Sequence, residues 1–210
     1  MQVVMIDFES AVWATMREVL PVVVQRGCAF HFGQAVCRNI QAIGLQVPHA
    51  TDDHRICRTA LPFPPADEIR PAFEDLKQAA PDNEVIGRHL GYIQKTWMDS
   101  TVWPPSAWSV YKQPIRTNND VKGWHYRLNA KARHGQLNMY QMVGLLHEEA
   151  VLIAVNVKLL SAGKAAWLQR CSYAELQRRV ATYWDEYAAG SHTAARLPSA
   201  CARACKCKHA

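Results

Sequence analysis

The first 24 residues read strand, helix, strand, and that order constrains the fold more than any other feature of the chain. Gln2-Val3-Val4-Met5-Ile6 is a β-prone run that stops at Asp7. Between Ser10 and Leu20 the residues Val12, Met16, Val19 and Leu20 are spaced as on one side of a helix, and Pro21 ends the run. Val22-Val23-Val24 then supplies a second strand. Parallel strands need crossover helices to cover their faces, so this is the opening of an α/β layer.

Beyond it, as far as residue 115, the periodicity is almost entirely helical. A helix is expected from about His31 to Ile43, with Phe32, Val36, Ile40 and Ile43 on one side; Pro48 and Thr51-Asp52-Asp53-His54 break it. Ile69, Phe73 and Leu76 mark an amphipathic helix after Pro62, Pro64 and Pro65, and Ile86, Leu90, Ile93 and Trp97 mark another over Glu84–Met98. Trp103-Pro104-Pro105 and Trp108-Ser109-Val110-Tyr111 form an aromatic loop. Further helices are predicted around Val121, Trp124 and Leu128, from Asn138 to Leu160, and from Ser172 to Ala188. Residues 190–210 lack a periodic apolar pattern and are expected to be a disordered tail rich in cysteine and basic residues.

Composition narrows the function. Of the 210 residues, 49% are apolar and 20% charged, enough buried side chain to offset the entropy of ordering. No run of about 18 uncharged apolar residues occurs, so no membrane span is expected. Asp7 and Glu9 stand where a signal peptide would carry its basic and apolar regions, so secretion is not expected either. Seven cysteines are an odd set: Cys28, Cys37, Cys57 and Cys171 are scattered, while Cys201, Cys205 and Cys207 crowd the end. That usage suits reduced thiols in the cytosol or nucleus better than a disulfide framework. Charge is unevenly placed. Residues 1–105 hold 9 basic and 12 acidic side chains, a net of −3, and residues 106–210 hold 15 and 6, a net of +9. The second half is therefore the face for a polyanion.

Four groups of residues can carry chemistry. Asp7 follows a strand and precedes a helix, at the rim where open α/β sheets place ligands; its simpler role is a helix cap. Cys28 and His31 form a Cys-x-x-His pair, half of a zinc site, for which His125 is the first partner to test; the simpler reading is a buried thiol and a histidine hydrogen-bonded at a helix start. Arg116, Lys122, Arg127, Lys131 and Arg133, interleaved with Trp124, Tyr126, Asn118 and Asn119, make a surface suited to contacting a nucleic-acid backbone; a solvated helix face is the alternative. Cys201, Cys205, Cys207 and His209 are spaced too tightly for the common zinc fingers and read as exposed thiols.

The order of these motifs is more specific than any one of them. Asp7-Phe8-Glu9-x-Ala11, Gly27-Cys28-x-Phe30-His31-Phe32-x-Gln34-Ala35-Val36, Leu61-Pro62-Phe63 and Arg116-Thr117-Asn118-Asn119-x-Val121-x-Gly123-Trp124-His125 together resemble the C-terminal half of the Mutator-like element (MULE) transposase domain, over about residues 3–150. The resemblance implies a partial RNase H-like core with a large all-helical insertion at about 45–112; beyond it, periodicity gives a helical extension over 151–189 and the tail over 190–210. Such domains cut and join DNA through three acidic residues holding Mg²⁺ or Mn²⁺. Asp7 matches the second acid, the first lies on a strand upstream of this chain, and Lys122 stands where the third is expected.

An ammonium group repels divalent ions, so Asp7 alone of the triad is retained and two-metal cleavage is not expected. The Cys28/His31 pair matches the Cys-x-x-His of the family, with zinc as its candidate ion. Cys205-Lys206-Cys207 matches the opening of the family's zinc-binding SWIM module, but no continuation follows and no finger is predicted. The resulting expectation is a nuclear, transposase-derived remnant that keeps DNA binding. The alternatives are a protein-interaction module anchored by Trp97, Trp103 and Trp108 in the aromatic segment 97–111, part of an active metal-dependent transposase lacking its upstream portion, and an unselected fragment that aggregates through exposed sheet edges.

Overall fold

A computed structural model describes residues 2–44, 60–132, 137–162 and 171–191; side chains at 119–122, 160 and 171–174 are outside that description. The described residues are mostly helical with one small parallel sheet. They fall into two compact units, one within Met1–Asn118 and Glu175–Ala210, the other within Asn119–Ala174.

In the first unit, β1 (Val3–Ile6) pairs in parallel with β2 (Val24–Gly27), Val3 opposite Val24 and Ile6 opposite Gly27, and α1 (Ser10–Val19) is the crossover. The second strand begins two residues later than the valine run suggests. Leu20 closes α1, the Val23 amide bonds back to its carbonyl at 3.1 Å, and the ladder starts with Val24 N–H donating to the Gln2 carbonyl at 3.0 Å. The turn consumes Pro21 and Val22, which leaves Val22 83% exposed. The expected inner stripe of α1 also needs correcting. Trp13 is its buried residue, while Val12, Val19 and Leu20 face solvent, because a two-stranded sheet is too narrow to cover a whole helix face.

The remaining helices build the core that the sheet cannot. They are α2 (Ala29–Ala42), α3 (Ile69–Gln78), α4 (Glu84–Ile93) running into a π-helical turn (Gln94–Met98), the short α5 (Pro105–Trp108) and α8 (Cys171–Ala188). Pro71 is tolerated because it falls in the first turn of α3, where its missing N–H has no helical partner. Asn83 caps α4, its side-chain oxygen accepting from the amides of Val85 and Ile86. Phe32, Val36 and Ile40 of α2 meet Ile69 and Phe73 of α3, Leu90 and Ile93 of α4, and Trp97 and Trp108. The buried His89 of α4 bonds through Nδ1 to Asn39 Oδ1 of α2 at 2.6 Å, tying the two helices together.

Trp97 and Trp108 are buried, which corrects their reading as exposed anchors for a protein partner. Phe8, Phe32, Trp97, Trp103 and Trp108 interlock edge to face and stacked, with centroids 4.6–6.2 Å apart. The aromatic segment thus supplies the centre of the first unit's core, with Phe8, Trp103 and Tyr111 partly open. A second cluster docks α8: Val180 and Trp184 pack on Ala60, Phe63 and Val110, and the Trp184 indole donates to the Phe63 carbonyl at 3.0 Å.

The second unit contains α6 (Asn119–Lys131) and α7 (Met139–Ser161). Glu149 of α7 is buried and accepts from Trp124 Nε1 at 3.0 Å and from Lys131 Nζ at 2.6 Å, both on α6. Among the described residues no helix is long and apolar enough to cross a membrane.

Candidate functional site

The two parallel strands end at Ile6 and Gly27, so the residues that follow them share one rim of the sheet. Asp7 comes directly after β1. Its backbone carbonyl accepts from the Trp13 indole at 2.7 Å, which fixes the strand-to-helix turn, and Glu9 rather than Asp7 occupies the cap of α1. Cys28 follows β2, caps α2 by position and hydrogen-bonds its amide to the Ile6 carbonyl at 3.0 Å. One turn into α2, His31 lies on the same rim. The Cys-x-x-His spacing therefore brings both side chains to the carboxyl ends of the strands.

A third segment closes the site from far along the chain. The Ala29 amide donates to the Arg116 carbonyl at 3.0 Å and thereby holds residues 116–118 against the start of α2. Asn118 then bridges: its Nδ2 donates to Asp7 Oδ1 at 2.8 Å, and its Oδ1 accepts from the Cys28 thiol at 3.4 Å. His31 Nδ1 lies 2.7 Å from the same Asp7 oxygen. Asp7, Cys28, His31 and Asn118 thus form one polar cluster, its Asn118–Asp7 bond joining residues 111 positions apart.

The cluster combines a buried thiol with a carboxylate whose side chain is 53% exposed. The carboxylate remains open to an incoming cation or hydrogen-bond donor, while the thiol is closed to solvent. Among the described residues no group of three or more His, Cys, Asp or Glu side chains gathers as a metal site would require. The Cys28 thiol is hydrogen-bonded to Asn118, and the His31 imidazole lies in ion-pair contact with Asp7, which makes this pair part of a polar network.

The predicted nucleic-acid face is divided by the structure. Arg116 is only 3% exposed, its guanidinium lying over the rings of Phe63 at 5.5 Å and Trp184 at 5.9 Å. It cannot reach a phosphate backbone, and this corrects its place among the DNA contacts. Its neighbour Asn118 belongs to the Asp7 cluster. In the second unit Arg127 is exposed, Lys131 is paired with Glu149, and His125 is exposed with its ring against Trp124 at 5.1 Å. Asn119 and Lys122 lie on α6, with side chains outside the description; Arg133 and the Cys201–His209 group fall outside the described residues altogether.

Sequence reasoning missed two residues that shape these places. Trp13, six residues after Asp7, clamps the turn bearing the carboxylate, and a tryptophan on an otherwise aliphatic helix face was its only signal. Glu149 anchors the helix pair of the second unit; beside Glu148 in an apolar 23-residue helix it looked like ordinary surface. No protein-family model, curated protein or solved structure matches the chain.

Proposed function

We propose that this chain is a remnant of a Mutator-like transposase domain, with an RNase H-like ancestry for its parallel strands, that retains DNA binding and has lost strand cleavage. The observation that carries the reading is the meeting of three motif segments at one rim. Asp7, Cys28 with His31, and Asn118 belong to the stretches on which the family resemblance rests, and they touch although chance gives separated motifs no reason to converge. In the family reading Asp7 is the surviving member of an acidic triad. A single carboxylate engaged by an amide and an imidazole offers too few oxygen ligands to organise Mg²⁺ or Mn²⁺ for in-line displacement.

DNA contact under this reading rests on the basic second half, with Arg127 as its exposed representative on α6. The protein is expected to act in the nucleus. The rival reading, a protein-interaction module built on the aromatic segment, is disfavoured by the burial of Trp97 and Trp108.

Calorimetric titration of Mn²⁺ on the whole chain, with Asp7→Ala as control, tests the loss of catalysis. The expected result is no binding that depends on Asp7. Tight, Asp7-dependent uptake would overturn it and favour an active metal-dependent enzyme completed by upstream sequence. DNA binding is tested separately in the absence of divalent ions.

A further inference from the structure

Helix α7 is apolar and open to solvent at once, which a stable isolated helix is not. Exposed apolar residues occur all round it, Tyr140, Met142, Val151, Leu152, Val155 and Leu159 among them, and one set is ordered. Met139, Val143, Leu146, Ala150, Ile153 and Val157 follow one another at alternating steps of four and three, the spacing that keeps a seam facing a partner helix along its whole length. Every one of the six is exposed, the five larger ones from 40% at Leu146 to 67% at Met139. In heptad terms Val143, Ala150 and Val157 occupy one core row and Met139, Leu146 and Ile153 the other. The contacts to α6 are made elsewhere, through Glu149 beside the seam.

We propose that α7 pairs with α7 of a second copy of this chain, these two rows forming the seam of a two-stranded coil. β-branched residues in the first row with Leu and Ile in the second favour two strands over three or four. Ala150 in the middle lets the helices approach closely. Charge does not oppose the pairing. Positions flanking the seam carry Met142, His147, Ala154 and Asn156, and the one acid among them, Glu149, is already neutralised by Lys131. The area is sufficient as well. A helix of 23 residues is about 35 Å long. A stripe of about a third of its circumference removes roughly 1,000 Å² in total when two copies meet, which reaches the lower bound for a specific interface and predicts a dimer in the micromolar range.

Sedimentation equilibrium of the full chain from about 1 to 200 µM tests this, because a micromolar dimer crosses its midpoint in that range. The mass is expected to rise from 23.7 kDa towards twice that value. Ile153→Glu, at a seam position, is expected to shift the midpoint at least tenfold while helix content by circular dichroism stays the same. Leu152→Glu, on the opposite side of α7, is expected to leave the midpoint in place. Should the seam variant unfold, cross-linking decides: the Ala150→Cys chain is expected to form a disulfide-linked dimer under mild oxidation well above the level of the parent chain and of Glu148→Cys. A monomer at every concentration would overturn the proposal, as would equal dissociation by both glutamate variants, or no excess cross-linking at position 150. The first result would mean that the seam is covered by something other than a second copy.

Discussion

Asn118 joins segments that are otherwise remote, and its amide uses both ends: the NH₂ on Asp7 and the oxygen on Cys28. Removing it as Asn118→Ala leaves an exposed carboxylate that water can serve and a weakly polar thiol, so the expected loss is about 1 kcal/mol in urea unfolding. A loss several times larger would mean that the cluster is a rigid strut. Gly27 is required for a different reason. A Cβ there would clash with Cε1 and Cζ of Phe8 and lie 3.1 Å from Trp108 Cβ, and Trp97 and Trp103, packed edge on, hold Phe8 in place. Gly27→Ala should therefore cost roughly 1–3 kcal/mol by the same measurement. No glycine preference could be read at that position from sequence, since the crowding atoms come from residues 8 and 108.

Two elements owe their position to single side chains. Helix α8 is held by Trp184, which fills the pocket beside Phe63, donates to its carbonyl and offers a face to the buried Arg116. Trp184→Ala should destabilise the first unit by about 3–5 kcal/mol, whereas Trp184→Phe keeps most of the area and costs less. Identical unfolding midpoints for both would show that α8 is not part of that core. The α6–α7 pair depends on Glu149. The hydrogen bond from Lys131, helped by its charge and by Trp124, outweighs desolvation and holds the Glu149 carboxyl below its ordinary value of 4.5. A carboxyl pKa lowered by folding adds stability that is complete above the unfolded value and disappears as pH falls through the folded one. Amide exchange over residues 119–162 should thus accelerate, relative to the global unfolding rate, as pH drops below about 4.5. Glu149→Gln should abolish that acid dependence.

At the scale of the whole molecule, charge decides what the chain can meet. The +9 carried by residues 106–210 against −3 in residues 1–105 predicts DNA binding that weakens steeply between about 50 and 200 mM salt. Arg127→Ala should lower the slope of log affinity against log salt by about one while leaving sequence preference unchanged. Arg116→Ala should leave that slope unaltered, because its guanidinium is buried under rings. No binding at low salt would remove the nucleic-acid part of the proposal. What the sequence determined by itself was local: the strand–helix–strand opening, the helices α2 to α4 and α6 to α8, the position of Asp7 after a strand end and the Cys28/His31 pair, because periodicity and turn chemistry act over a few residues; the short α5 lies where an aromatic loop was expected. Only the tertiary structure decided which apolar and charged side chains were covered. Trp97, Trp108 and Arg116 went inward, Val12, Val19 and the seam of α7 stayed outside, and Asn118 crossed to Asp7. Burial depends on partners far along the chain, and a residue's own neighbours do not specify which remote surface will arrive to cover it.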